Sequence, residues 1–214
     1  MSVERTTGLV LRTRPLTESS LIVHWLTSDL GRLATVAKGA RRNKSPFRGQ
    51  IDLFYLAEIS FSRSRRSDLH ALREVRLLES HAALRTELSY LQQASYCAAL
   101  IEETTETDTP LPKVYDQFIA LLRELPRQPA RAATIFAFEM KLLNELGLQP
   151  NLAETPLSAG AKQLLEKLAG LDWPAIGRLR LSAAQETELR QYLHGYLIYH
   201  LDKLPRGRNA ALGG

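Results

Sequence analysis

A chain of 214 residues, 44% hydrophobic and 24% charged, has a globular composition and enough length for one large domain or two small ones. No stretch approaches the ~18 apolar residues of a membrane span, and Met1-Ser2-Val3-Glu4-Arg5-Thr6 lacks the apolar core of a secretory signal. The single cysteine, Cys97, excludes an internal disulfide and a cysteine-based zinc cluster, so the expected compartment is the cytoplasm. The net charge of +5 is unevenly spread: residues 1–80 hold 14 Lys and Arg against 8 Asp and Glu, and residues 81–214 hold 14 against 15. A basic front part on a neutral back part suggests two tasks, with a polyanion such as nucleic acid met by the first.

Residues 3–80 read as β-structure. Residues 8–13 are short and apolar, and Leu21-Ile22-Val23-His24-Trp25-Leu26-Thr27 is the strongest strand pattern in the chain. Ser28-Asp29-Leu30-Gly31 supplies a turn, and residues 32–38 return as the partner strand of a hairpin. Then comes the densest cationic run, Val36-Ala37-Lys38-Gly39-Ala40-Arg41-Arg42-Asn43-Lys44-Ser45, followed by Pro46-Phe47-Arg48-Gly49. Its bracketing glycines mark a mobile loop between strands three and four. Residues 52–62 and 69–77 give the last two strands, with the basic turn Arg63-Ser64-Arg65-Arg66 between them. Five short strands in about 75 residues predict an OB-type barrel, although an SH3-like barrel or an open meander has much the same pattern.

From Ser80 the period becomes helical, so the fold class expected is α+β: an OB barrel over 1–80 and an all-α domain over 81–214. Leu84, Leu88, Leu91, Tyr96 and Leu100 predict one long helix to about residue 103, closed by the acidic stretch 102–108 and by Pro110 and Pro112. Val114, Phe118, Leu121, Leu122 and Leu125 mark a second helix, stopped at Pro126. Pro129 suits the first turn of a third, carrying Ile135, Phe138, Leu142, Leu143 and Leu146, with Gly147 at its C-terminal end. A looser segment, 148–156, precedes a short helix over 159–168 and a mixed stretch around Trp173-Pro174. Ser182 and Gln185 form a capping box for a last helix bearing Leu189, Leu193, Tyr196, Leu197 and Leu201. Residues 205–214 are expected to fray.

The cationic loop ends in Lys44-Ser45 as a phosphate-binding loop does, but it lacks the glycine before the lysine and a following βαβ pattern. Nucleotide hydrolysis is therefore not expected. Electrostatic capture of a phosphate backbone is, with Lys38, Arg41, Arg42, Lys44 and Arg48 as contacts. Arg12 with Arg14, and Arg63 with Arg65 and Arg66, form further candidate patches. Phe47, inside the loop, is the candidate for stacking on a base, whereas Tyr55, Phe61 and Trp25 fit core positions. The five histidines show no metal-ligand or catalytic spacing, and no serine has a nucleophile-elbow context. Neither enzyme activity nor a cofactor or metal is expected.

These residues resemble the RecO family of bacterial DNA-repair and recombination mediators. The likeness runs through Gly8-Leu9-Val10-Leu11, Thr17-Glu18-Ser19-Ser20-Leu21, Thr27-Ser28-Asp29-Leu30-Gly31-Arg32 and, most distinctively, Ala37-Lys38-Gly39-Ala40-Arg41-Arg42. It continues in Phe138-Glu139-Met140-Lys141-Leu142-Leu143-Asn144-Glu145-Leu146-Gly147 and Tyr196-Leu197-Ile198-Tyr199-His200-Leu201. The resemblance implies a nucleoid-associated, non-enzymatic mediator that binds single- and double-stranded DNA and anneals complementary strands. It also implies partners: the acidic tail of single-stranded DNA-binding protein, RecR and, through loading onto coated DNA, RecA. Many family members carry a four-cysteine zinc module between the later helices; here 148–168 is short and cysteine-free. A general RNA-binding OB module and a protein-interaction adaptor are the alternatives.

Overall fold

The computed structural model describes residues 3–213, which fall into two compact units, one of residues 3–82 with Thr105–Asp116 and one of Ala83–Thr104 with residues 117–213. In the first unit, β1 (Val3–Pro15) serves two neighbours. Its first half pairs antiparallel with β4 (Leu56–Ser62), Val3 against Ser62 through Leu9 against Leu56. Its second half pairs with β2 (Leu21–Thr27), Gly8 against Thr27 through Pro15 against Leu21. A bulge between Val10 and Arg12 bends the strand from one partner to the other. β3 (Arg32–Ala37) is antiparallel to β2, and β5 (Leu69–Glu79) runs parallel to β3 and antiparallel to β4. The ring closes in the order β1-β2-β3-β5-β4, the five-stranded OB barrel expected from residues 3–80, with no open edge.

Strand direction sorts the connections to two ends. The β1–β2 turn and the long β3–β4 connection lie at what we call the upper rim; the β2–β3 and β4–β5 turns lie at the lower end. The core holds Val10, Val23, Trp25, Leu33, Ile59, Phe61 and Leu72, and the buried Trp25 Nε1 donates to Thr35 Oγ1 at 2.8 Å. At the lower end, Arg32 Nε donates to Thr105 Oγ1 at 2.7 Å, its guanidinium also reaches the Thr105 carbonyl, and Asp108 N donates to Arg32 O at 2.9 Å. Gly31 (φ 71) allows this docking, since a Cβ there would sit 2.3 Å from Thr109 O.

β1 is longer than the apolar pattern of 8–13, because ladder bonds to β4 order residues 3–7 whatever their polarity. β4 is shorter than 52–62. Residues 52–55 instead form a turn in which Phe54, at φ 62, is buried and its N–H donates to Val10 O at 2.9 Å.

In the second unit α3 (Ala132–Glu145) is central. Ala132 to Leu143 are all buried, and α1 (Leu88–Thr104), α4 (Ala159–Gly170), α5 (Trp173–Arg178) and α6 (Ala183–Leu201) pack on it. A helix apolar on every side belongs in the middle of its bundle. α2 (Pro112–Glu124) ends as expected before Pro126. The Ser182–Gln185 capping box opens α6, and Gly147 takes the left-handed conformation (φ 71) just past α3. No helix among the described residues is long and apolar enough to cross a membrane.

Three helical expectations change. The first helix does not begin near 80: Ala82–Arg85 is a 3-10 turn, and Leu88, 70% exposed, opens α1 instead of joining its buried stripe. Pro129 lies upstream of α3, because Arg131 at its N-cap is fully extended. Trp173–Arg178, where only a mixed polar and apolar stretch around Trp173-Pro174 was expected, is a short helix capped by Asp172, whose Oδ1 accepts from Ala175 N at 2.8 Å.

The C-terminal segment is likewise packed, not frayed. α7 (Arg208–Ala211) brings Arg208, 4% exposed, against Glu139, 0% exposed. Arg208 Nε donates to Glu139 Oε1 at 2.7 Å and Nη2 to Oε2 at 2.9 Å, while Tyr96 OH donates to Oε1 at 2.6 Å. Arg208 Nη1 donates to Arg190 O at 3.2 Å, and Arg190 in turn reaches Leu212 O at 3.2 Å. Two charges removed from water are tolerated only with this degree of pairing. Arg208→Met strands the Glu139 carboxylate and is expected to cost about 3–5 kcal/mol in chemical denaturation; a loss below about 1 kcal/mol would mean that α7 contributes little.

Candidate nucleic-acid interface

β3 and β4 are not neighbours, since β5 lies between them, so the chain from Lys38 to Tyr55 must cross the upper rim. It does so through successive turns: Arg42 N donates to Gly39 O at 3.0 Å, Ser45 N to Arg42 O at 3.0 Å, Arg48 N to Ser45 O at 3.2 Å and Gln50 N to Phe47 O at 3.0 Å. Gly39, at φ 70, makes the first reversal. The β1–β2 turn ties this connection down. Gly39 N donates to Ser20 Oγ at 3.3 Å, Arg41 N to Ser19 O at 3.0 Å and Arg41 Nη1 to Thr17 O at 3.4 Å. The loop expected to be mobile is thus a turn series anchored at its start.

Lys38, Arg41, Arg42, Lys44 and Arg48 are all exposed. Arg48 Nη1 donates to Asn43 O at 3.1 Å, within the loop. Among the described residues no carboxylate pairs with any of these five, although Glu18 sits exposed on the adjoining turn. Arg14, exposed at the end of β1 opposite Ile22, belongs to the same rim. Arg12, half-buried, stands opposite His24, lower on the outer face of β1 and β2. The field of this face is legible in His24: burial first, then the positive charges of Arg12, Arg14 and Arg32, push its pKa from 6.5 to about 4.

Phe47 is not a stacking candidate. It is 7% exposed and packs in the barrel core with Val10, Trp25 and Phe61, so the loop turns its aromatic ring inward while its cations face water. Arg63 is also unavailable. Its Nε donates to Glu4 Oε1 at 3.0 Å and its Nη1 to Asp108 Oδ1 at 2.6 Å, and these partners hold its pKa above the ordinary arginine value. Arg65 and Arg66 are exposed, but on the β4–β5 turn at the lower end. β3, with its six residues, separates them from the rim by about 17 Å. The three cationic clusters therefore do not form one surface: the barrel brings Arg14 to the main loop and carries Arg63, Arg65 and Arg66 away from it. The sequence reading missed the anchoring role of Ser19 and Ser20; the only available signal was the Thr17-to-Ser20 run, in which Thr17 Oγ1 accepts from Ser19 N at 3.3 Å and Ser20 N at 3.1 Å.

Residues 1–81 match the family model for the N-terminal part of recombination protein O, and residues 85–155 the model for its C-terminal part. The chain belongs to the RecO family. A protein named DNA repair protein RecO from Anaeromyxobacter dehalogenans (strain 2CP-C) is 34% identical over 146 residues, 68% of this chain and 58% of that protein. The protein of the same name from Rhodopirellula baltica is 33% identical over 143 residues, 67% of this chain and 53% of its own length. That of Roseiflexus sp. (strain RS-1) is 28% identical over 95% of this chain and 83% of the relative. In the first two comparisons the chain thus spans little more than half the length of the RecO protein it matches.

Two outcomes follow from the site. Phe47→Ala is expected to cost about 3–5 kcal/mol of barrel stability, the ordinary loss for a core phenylalanine, read by chemical denaturation; a stable variant would place the ring outside the core. Below pH 6.5 the unfolded chain gains a proton on His24 that the folded chain takes up only near pH 4, so His24 contributes a stability that falls across that window as the solution is acidified. His24→Gln should flatten the decline in thermal midpoint between pH 6.5 and 4.

Proposed function

We propose that this RecO-family chain is a DNA-repair and recombination mediator that holds DNA by its phosphates at the upper rim of the OB barrel. The observation that carries this is the rim itself: five exposed cations on a connection anchored to the β1–β2 turn, with no carboxylate partner among the described residues. Cations already paired in the fold gain little from a phosphate, whereas these release counterions when one arrives. Contacts of this kind fix the path of a backbone without reading its sequence, which suits a protein that handles any strand brought to it. Lys38, Arg41, Arg42, Lys44 and Arg48 are the contacts we propose, supported by Arg14 and Arg12. The name carried by the similar proteins, DNA repair protein, supports the same use.

On this reading the protein binds single- and double-stranded DNA, anneals complementary strands without chemical catalysis and works in the cytoplasm on the nucleoid. With RecR it helps load RecA onto DNA covered by single-stranded DNA-binding protein, whose acidic tail it contacts. Neutralising part of the phosphate charge on two strands lowers their repulsion, a sufficient physical basis for annealing.

The test is single-stranded DNA binding across a salt series. Replacing Lys38, Arg42 and Lys44 together by Ala is expected to weaken binding and to make the slope of log affinity against log salt shallower by about 2, from a slope of about 0.7 per single-strand phosphate contact. Arg65→Ala with Arg66→Ala, at the other end of the barrel, should leave the slope unchanged. If the lower-end pair alters the slope and the rim triple does not, the rim assignment fails; a marked preference for structured RNA would favour the RNA-binding alternative.

A further inference from the structure

We propose that Leu16 is the base-contacting residue of the upper rim, an apolar wedge that packs against exposed bases of a strand whose phosphates the rim cations hold; this rests on the DNA-binding reading above. With Phe47 sealed in the core, the turn series offers cations but no exposed ring for a base. Leu16 is 46% exposed and lies at the start of the β1–β2 turn, two residues beyond Arg14 and next to Thr17, whose carbonyl Arg41 grips. A solitary exposed leucine needs no special explanation on most surfaces. What distinguishes this one is its mounting.

Leu16 N donates to Ser20 O at 2.9 Å, and Thr17 Oγ1 accepts from Ser19 N and Ser20 N, so the turn is closed on itself. Ser19 O and Ser20 Oγ then accept from Arg41 N and Gly39 N, joining that turn to the cationic connection. Leu16 and the phosphate-binding cations therefore form one pre-organised element. The backbone beneath them is already ordered, so a strand that arrives has to order only side chains, which is the condition for a small apolar contact to contribute to affinity. The chemistry that fits is a base presented without a partner: apolar wedges act between bases that are unstacked or can be unstacked. The cations grip the phosphates of either form, whereas base contact from Leu16 adds affinity for a single strand that an intact duplex, whose base faces are covered, does not gain.

The experiment compares wild type with Leu16→Ala and Leu16→Trp on an oligo-dT strand and a blunt duplex, by titration at several salt concentrations. Both variants alter an exposed turn side chain, and an unchanged thermal midpoint verifies their folding. Leu16→Ala is expected to lower single-strand affinity about fivefold with an unchanged salt slope, because an apolar contact releases no counterion, and to affect the duplex less. Leu16→Trp should restore or raise the affinity, and its added fluorescence should be quenched by oligo-dT; the native Trp25 and Trp173 are buried, at 0% and 6% exposed, and present no free face to a base. Unchanged affinity for Leu16→Ala, or unquenched fluorescence from Leu16→Trp at saturation, overturns the wedge while leaving the cationic rim standing. A wild-type protein that binds no DNA overturns both readings together.

Discussion

The barrel exists because β1 pairs along one half with β4 and along the other with β2. A five-stranded sheet left open would present two unpaired edges; the bulge at Val10 and Arg12 lets one strand supply both closing ladders. Closure then dictates the connections. With β5 seated between β3 and β4, the chain cannot pass from β3 to β4 by a tight hairpin and must travel across the rim. That obligatory traverse carries the cations. Phe47 anchors it from below in the core, and Ser19 and Ser20 anchor its start from the side.

The same closure separates charges that look alike in the sequence. Arginines at 41, 42 and 48 stand on the rim, while Arg63 lies at the other end, held between Glu4 and Asp108. An arginine with two carboxylates at hydrogen-bonding distance is part of the fold's own electrostatics, and its charge is largely spent on them. Arg41, by contrast, gives one hydrogen bond to a backbone carbonyl and keeps its full charge for a ligand. What counts is the charge left after the fold has satisfied itself, which no count of lysines and arginines along a chain can supply.

In the helical unit the corresponding fixed point is the Glu139 carboxylate on α3, which receives hydrogen bonds from Arg208 and Tyr96. Residues 205–213 look expendable by composition, being short and rich in glycine. Yet an unpaired carboxylate at the centre of a bundle is untenable, so α7 is held where its arginine is needed. Lys141 on the same helix solves a similar problem differently, donating to the Ala169 carbonyl near the end of α4 at 3.1 Å.

Much of the architecture was legible before any coordinates. Short apolar runs and turn residues sufficed to place five strands, though not the ends of β1 and β4, because a strand's apolar residues mark its core-facing part and a reversal such as Gly31 needs its glycine. The 3.6-residue period, Gly147 and the Ser182–Gln185 box sufficed for the longer helices, and the run from Lys38 to Arg48 marked the candidate site. Local chemistry carried all of these. The sequence could not show whether Phe47 faced base or core, whether Arg63 was free or paired, which cationic clusters shared an end of the barrel, or that Arg208 would reach Glu139, 69 residues away. Each depends on which distant groups become neighbours. Strand order and helix packing decide that, and through them the desolvation and pairing of every charge.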